Sequence, residues 1–318
     1  MKPTLPGIHH VTAITADAQQ NIDFYTGVLG LRMVKVTVNF DDPTTYHLYY
    51  GDESGRPGSA MTFFAWQGAR RGRIGPPQVT VTGFAVPAAG LEYWRERLNE
   101  HGVRGITEEQ RFDDRVLTFR DPDDMRLELV ATREPGGDAP ARGPVPPEYA
   151  IRGFHGVTMA ELGPEPTAAL LTDVMGFSEE ATDNGRTRYR AGGGNPYASA
   201  VDVVEADAAS RGFNGAGTVH HVAFRAPDDA QQIAWQSAIA KRGLGVSPVM
   251  DRCYFHSIYF REPGGVLFEI ATDGPGFAVD ESSEALGQAL QLPAWMEPDR
   301  AKLEKALPPL RLPEWLQD

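Results

Sequence analysis

A single cysteine, Cys253, stands in 318 residues. That scarcity excludes an intrachain disulfide and any zinc site built on several thiolates. Basic residues are also in short supply: 30 Lys and Arg against 43 Asp and Glu leave a formal net charge of −13. Such a balance argues against nucleic-acid binding, which needs a clustered positive face. The one basic cluster, Arg70-Arg71-Gly72-Arg73, lies in a glycine-rich stretch and reads as a solvated loop. No apolar run approaches the roughly 20 residues that span a bilayer. The opening Met1-Lys2-Pro3-Thr4-Leu5-Pro6 lacks the apolar segment of a signal peptide. These absences lead to the expectation of a soluble cytoplasmic protein without nucleic-acid or membrane partners. The hydrophobic content, 41%, suffices for a packed core, and the length gives room for two ordinary domains.

Repetition organises what is there. A His-His doublet occurs twice, 211 residues apart. One copy is Gly7-Ile8-His9-His10-Val11-Thr12 and the other Val219-His220-His221-Val222-Ala223-Phe224. Each begins a unit of a short strand, an Asp-rich turn, a helix stopped by glycine, and three further strands. In the first unit Asp17 is an expected N-cap, Ile22, Phe24, Tyr25, Val28 and Leu29 recur at helical spacing, and Gly30 ends the helix. Strand patterns follow at Met33–Phe40, Tyr46–Gly51 and Ala60–Trp66. A second unit opens at Gln78, has a helix over Leu91–His101, and ends in the hairpin Val116–Arg120 / Arg126–Val130. A third opens at Gly153-Phe154-His155-Gly156, its helix ending near Gly176 and its strands at Arg186–Ala191 and Ala198–Val204. The fourth runs from His220 through a helix from Asp228 or Asp229 to Gly243, and ends in the hairpin that carries Glu269.

The pattern predicts an α+β protein of four βαβββ modules. One module makes a curved sheet whose concave face needs a partner, so modules pair and enclose two cups. The boundaries read as 1–133 for the N-terminal pair of modules, 134–150 for a Pro/Gly linker and 151–273 for the C-terminal pair. The tail, 274–318, is expected to pack back through Leu286, Leu290, Leu292 and Trp295. Two pairings are open. If modules three and four share a cup, His155 joins His221 and Glu269; if one and four share it, a histidine of the first doublet does. Both doublet-bearing modules also carry Ala-Gln-Gln at the helix start (Ala18-Gln19-Gln20 and Ala230-Gln231-Gln232), which favours pairing one with four and two with three.

A lone strand histidine is more often a core residue than a ligand. Two doublets at equivalent positions, with a carboxylate on the last strand, reverse that expectation. Two imidazoles and one anion are what a mononuclear non-haem iron site requires. Alternation points Glu269 away from Val266, Phe268 and Ile270, and a carboxylate in so apolar a strand is costly without a cation. Glu128, at the equivalent place in module two, could join His155 in a degenerate second site, but no third ligand is evident and a structural role is favoured. His47 and His256 flank strand patterns as lesser candidates for lining the cup. His101 suits a helix end. Cys253 has no ordered His-Asp relay beside it and reads as a passive thiol.

Taken together, Gly7–Thr12, Asn21–Gly30, Thr45-Tyr46-His47-Leu48-Tyr49-Tyr50, Arg152–Thr158, His220–Phe224, Tyr254–Thr272 and Pro275-Gly276-Phe277 resemble the vicinal oxygen chelate superfamily. That superfamily includes glyoxalase I, bleomycin-resistance proteins and extradiol dioxygenases. Within it the similarity is to the ring-cleaving hydroquinone dioxygenase group and spreads over nearly the whole chain. The resemblance implies metal ligands at His10, His221 and Glu269, with His9, Thr12, His220, Arg252 and Tyr259 supporting the metal and substrate. It implies Fe(II), with Mn(II) an alternative, acting on a small aromatic substrate and dioxygen; a homo-oligomer is compatible with it. Other functions use the same cup. A glyoxalase-like isomerase or lyase would hold Zn(II) or Ni(II) with a second carboxylate, where this chain has Thr62 or Phe63. A metal-free protein binding an aromatic or thiol adduct would have no use for an intact triad.

Overall fold

The computed structural model describes residues 4–133, 136–192 and 197–317. Module one comprises β1 (Ile8–Thr15), α1 (Ala18–Ile22), β2 (Arg32–Asn39), β3 (Asp42–Gly51) and β4 (Ala60–Ala65). Module two comprises β5 (Gln78–Pro87), α2 (Leu91–Glu100), β6 (Arg104–Arg111), β7 (Asp114–Arg120) and β8 (Arg126–Thr132). Module three contains β9 (Phe154–Glu161), α3 (Glu165–Ala169), β10 (Ser178–Asp183), β11 (Arg186–Arg190) and β12 (Ala200–Glu205). Module four contains β13 (Val219–Ala226), α4 (Asp229–Lys241), β14 (Met250–Asp251), β15 (Phe255–Arg261) and β16 (Leu267–Pro275).

The strands form two eight-stranded sheets, ordered β14-β15-β16-β13-β1-β4-β3-β2 and β10-β11-β12-β9-β5-β8-β7-β6. Module one therefore closes with module four, and module two with module three, the pairing that the shared doublets favour. Each seam is antiparallel: β1 meets β13 with Val11 opposite Val222, and β5 meets β9 with Thr82 opposite Val157. Neither 1–133 nor 151–273 closes a sheet by itself.

Local chemistry sets the element ends. Asp17 and Asp228 accept from the backbone N–H three residues on, at 3.0 and 2.8 Å, and cap α1 and α4. Gly30 and Gly243 lie just beyond the helices with φ of 67° and 80°, which glycine adopts at least cost. One expectation is corrected. The helical spacing after Asp17 predicts a single regular helix, but beyond Ile22 the chain widens into π turns over Asp23–Val28. The wide turn lets the adjacent Phe24 and Tyr25 both bury, and the Tyr25 hydroxyl reaches Asp121 at 3.1 Å. Module three repeats the device over Leu170–Val174. The outer strands β6 and β10 have no apolar alternation because both faces are largely exposed; backbone pairing to β7 and β11 alone defines them.

The tail covers the first sheet. Leu286, Leu292, Leu303 and Leu307 are buried, the last two around α5 (Arg300–Ala306); α6 (Glu314–Gln317) follows. Trp295, in contrast, stays 54% exposed, with its ring set edge-on to Phe40 at 5.8 Å between centroids. Lys35 of β2 is fully buried, its ammonium held by Asp280 and Glu281 of the tail. Glu134 and Pro135 of the linker, and Met1–Pro3 of the N-terminus, lie outside the described residues. No helix among the described residues is long and apolar enough to cross a membrane.

Candidate metal centre

The seam between modules one and four assembles the centre. His10 on β1 sits opposite Ala223 on β13, Ala223 is level with Glu269 on β16, and His221 sits opposite Thr12. The three side chains thus rise from one patch of the concave face. His10 Nε2 and His221 Nε2 are 3.3 Å apart, and Glu269 Oε2 lies 3.3 and 2.9 Å from them. All three residues are buried, and no other such trio of His, Cys, Asp or Glu comes together among the described residues.

Glu269 Oε1 accepts a hydrogen bond from Ser257 Oγ, but buried Oε2 has no hydrogen-bond donor despite the two nearby nitrogens. A buried carboxylate oxygen without a donor is expensive, and a cation in the triangle removes the cost. The spacing fits, since donor atoms bonded about 2.1 Å from one ion sit about 3 Å from each other. Burial opposes ionisation of Glu269, yet the two imidazoles outweigh it and hold the carboxyl well below its usual range.

The doublets explain themselves. His9 Nδ1 lies 2.9 Å from His10 Nδ1, and His220 Nδ1 lies 2.8 Å from His221 Nδ1. For each second histidine to offer its Nε2 lone pair to a metal, its Nδ1 must carry the proton and donate it to the preceding ring. Burial, reinforced by the neighbouring imidazole, lowers both preceding rings: His9 falls well below its ordinary value and His220 to about 3. Neutral rings at these two positions can accept from the Nδ1–H of the histidine that follows and so fix its tautomer.

Arg252 and Tyr259 meet at the rim of the cup. Arg252 Nε donates to the Tyr259 hydroxyl at 3.2 Å, and its Nη2 donates to Asp41 Oδ2 at 3.0 Å. Tyr259 is paired across strands with Glu269, which places its ring 5.9 Å from His221. Thr12 does not touch a ligand histidine through any hydrogen bond of its hydroxyl. It bonds Thr62 Oγ1 at 2.7 Å, and Thr62 in turn meets His47 Nε2 at 3.0 Å. A cavity opens over His10 and His221 between the rings of Phe64 and Phe255, with His47, Tyr49, Arg252 and Tyr259 on its walls.

Other candidates settle elsewhere. His256 Nδ1 pairs with Asp229 at 2.6 Å, away from that cavity, and His101 Nδ1 meets Arg97 O at a helix end. Burial pushes the Cys253 thiol up to about 11, so it stays protonated. Glu128 is gripped through both oxygens by Arg111, at 2.6 and 2.8 Å, while His155 faces Asp114 at 3.6 Å. Sequence reasoning gave no role to Ser257 or Asp41, and met Thr62 only as a place where a second carboxylate is missing. Strand parity is the signal that finds Ser257 and Thr62: Ser257 shares a face with Tyr259, and Thr62 sits opposite Thr12.

A family model described as the Glyoxalase/Bleomycin resistance protein/Dioxygenase superfamily matches residues 7–129 and 163–270. MhqO of Bacillus subtilis (strain 168), which carries the name of a ring-cleaving dioxygenase, is 48% identical over 308 residues, covering 97% of each chain. A chlorohydroquinone/hydroquinone 1,2-dioxygenase of Sphingobium indicum is 34% identical over 300 residues, covering 92% of each. A crystal structure described as a dioxygenase from Bacillus subtilis superposes with a TM-score of 0.94 at 47% identity, over 99% of this chain and 100% of that one. Glyoxalase I from Zea mays shares the fold, with a TM-score of 0.62 at 15% identity, over 84% of this chain and 92% of its own.

Proposed function

Because the chain belongs to the glyoxalase/bleomycin resistance protein/dioxygenase superfamily, we propose that it is an Fe(II)-dependent, extradiol-type ring-cleaving dioxygenase whose substrate is a para-hydroquinone or catechol-like ring. The observation that carries this reading is the donorless Oε2 of Glu269 beside two tautomer-fixed imidazoles, opening onto an aromatic-walled pocket. When bound on His10, His221 and Glu269, the metal acidifies a substrate hydroxyl and lets electrons pass between ring and dioxygen; Mn(II) is the alternative ion.

The chain's own side chains do the rest. Phe64 and Phe255 flank the ring and keep water from the reacting face. Arg252 polarises the Tyr259 hydroxyl and helps it donate to oxygen that gains negative charge on the substrate. The Asp41 carboxylate fixes the guanidinium from the opposite rim. A glyoxalase-like isomerase is disfavoured on geometry: the candidate for a second carboxylate ligand is Thr62, and its hydroxyl is already engaged by Thr12 and His47.

Anaerobic reconstitution with Fe(II), followed by oxygen uptake on a panel of hydroquinones and catechols, tests the proposal. We expect one dioxygen consumed per ring opened, fastest with para-hydroquinones. Isomerisation of a glutathione adduct, with no oxygen consumed on any phenol of the panel, establishes the isomerase instead.

A further inference from the structure

The pocket has a second polar corner, on β3. His47 and Tyr49 lie on the same face of β3, and the Tyr49 hydroxyl meets His47 Nδ1 at 2.8 Å. His47 Nε2, Thr62 and Thr12 continue the contact into β1 at 3.0 and 2.7 Å. The result is a four-membered hydrogen-bond chain that begins at the pocket and ends in the sheet. In the strand order β15-β16-β13-β1-β4-β3, the ligand-bearing strands lie between Tyr259 on β15 and Tyr49 on β3. The two phenols therefore stand on opposite arms of the curled sheet, with the metal ligands at its base.

We propose that Tyr49, positioned by His47, is the hydrogen-bond partner for a second oxygen on the far side of the substrate ring, and so selects para-dihydroxy rings. This rests on the dioxygenase reading. A catechol places both oxygens at the metal and leaves this corner unmet; a simple phenol has nothing to offer it. A para-hydroquinone reaches the metal with one oxygen and has the other on the opposite ring carbon. The neighbouring walls, Phe40, Phe64 and Phe255, supply no donor or acceptor through their side chains.

The chain of hydroxyls suits either role. With Thr12 and Thr62 donating towards His47 Nε2, His47 Nδ1–H donates to Tyr49, whose own proton is then free for the substrate. With the direction reversed, Tyr49 donates to His47 and keeps lone pairs to accept from a substrate hydroxyl. Burial raises Tyr49 well above its ordinary value and lowers His47 well below its own, so both are neutral as this requires. The second cup offers an internal comparison. Arg186 and Arg188 of β11 occupy the registers of His47 and Tyr49, and there Arg186 bonds Thr158 and Asp202, the counterparts of Thr12 and Thr62. Side chains at these registers reach the middle of a cup.

The test is anaerobic calorimetric titration of the Fe(II)-loaded chain with hydroquinone, catechol and phenol. The unaltered chain is expected to bind hydroquinone roughly tenfold to a hundredfold tighter than phenol, the span of one hydrogen bond to a buried partner. Tyr49→Phe should bring that ratio to near one while leaving phenol binding and metal content as they were. His47→Ala should lower the ratio part of the way, because Tyr49 remains but is no longer held. A variant that weakens hydroquinone and phenol equally, or Tyr49→Phe retaining the full preference, overturns the inference. Oxygen uptake with hydroquinone separates the two readings. If uptake persists while the ratio ignores Tyr49, only the specificity role falls; if no ligand binds and no oxygen is consumed, the dioxygenase reading falls with it.

Discussion

In the first cup, one row across β1, β13 and β16 reads His10, Ala223, Glu269; in the second, the matching row across β9, β5 and β8 reads Gly156, Gly83, Glu128. The next position on the seam pairs Thr12 with His221 in one cup and Thr158 with Val81 in the other. Of the positions of His10, His221 and Glu269, only the carboxylate survives in both. His155, one residue before Gly156, corresponds to His9 and not to a ligand. The second cup thus has a buried carboxylate and no imidazole pair to share a metal with it. Guanidinium groups supply the cation instead: Arg111 holds Glu128, and Arg188 bonds Asp202 through two nitrogens at 2.7 and 3.1 Å and reaches Asp114 as well. The comparison teaches that a buried carboxylate on a last strand calls for a cation: arginines supply it in the second cup, while the open triangle of the first is shaped for an ion.

Substitutions in each cup break or sharpen that contrast. Glu269→Gln should abolish metal binding and all oxygen-dependent turnover, whereas Glu128→Gln should leave one metal per chain; elemental analysis of both proteins decides it. Arg188→Met leaves Asp202 to Arg186 alone and takes the guanidinium away from Asp114, and should cost about 1.5–3 kcal/mol of stability, the range for hydrogen bonds to charged groups. Denaturant unfolding measures the loss, and the turnover of the folded fraction should stay near normal. Arg252→Ala should keep the metal and slow turnover by a factor on the order of 10²–10³, the range for removing one charge-stabilising donor. Tyr259→Phe should move in the same direction.

The smallest effect is in pH. Burial, then Arg188, pushes His155 down to about 4, below its ordinary 6.5. Between those values the unfolded chain takes up a proton that the folded chain refuses. Its contribution to stability is complete above pH 6.5 and is lost as pH falls towards 4, at no more than about 1.4 kcal/mol per pH unit. His155→Gln should flatten the fall in melting temperature over that window. An unchanged slope would show that His155 is not buried neutral.

The site was legible where residue type and repetition coincide. His-His, twice, is rare enough to mark two members of the triad, and the shared doublet with its Ala-Gln-Gln companion marks which modules meet. Glu269 stands out as a charge inside Leu267–Ile270, a span otherwise apolar. What stayed hidden depends on contacts between strands distant in sequence. Thr62, Ser257 and Asp41 are ordinary residues in ordinary strand or turn positions, and only register gives them their partners. His155 kept a second pairing open because its sequence neighbours match those of the first doublet with one histidine missing, and alignment to His9 or His10 turns on a single residue. The π turns after α1 escaped because widening a helix by one residue per turn leaves its apolar spacing almost unchanged over so short a span.

The nesting of the sheets carries a consequence for the order of assembly. Modules two and three are adjacent in the chain, so their sheet can close as soon as β9 emerges. The strand β1 must wait for β13, and His10 for a partner 211 residues away. Long-range pairings form late and slowly. A nascent chain therefore holds one complete cup and one unpaired half-sheet, with His9 and His10 exposed along a free strand edge, until synthesis reaches module four. The triad of His10, His221 and Glu269 is the last part of the fold to assemble, and the interval before it closes is when the chain is most exposed to aggregation through β1.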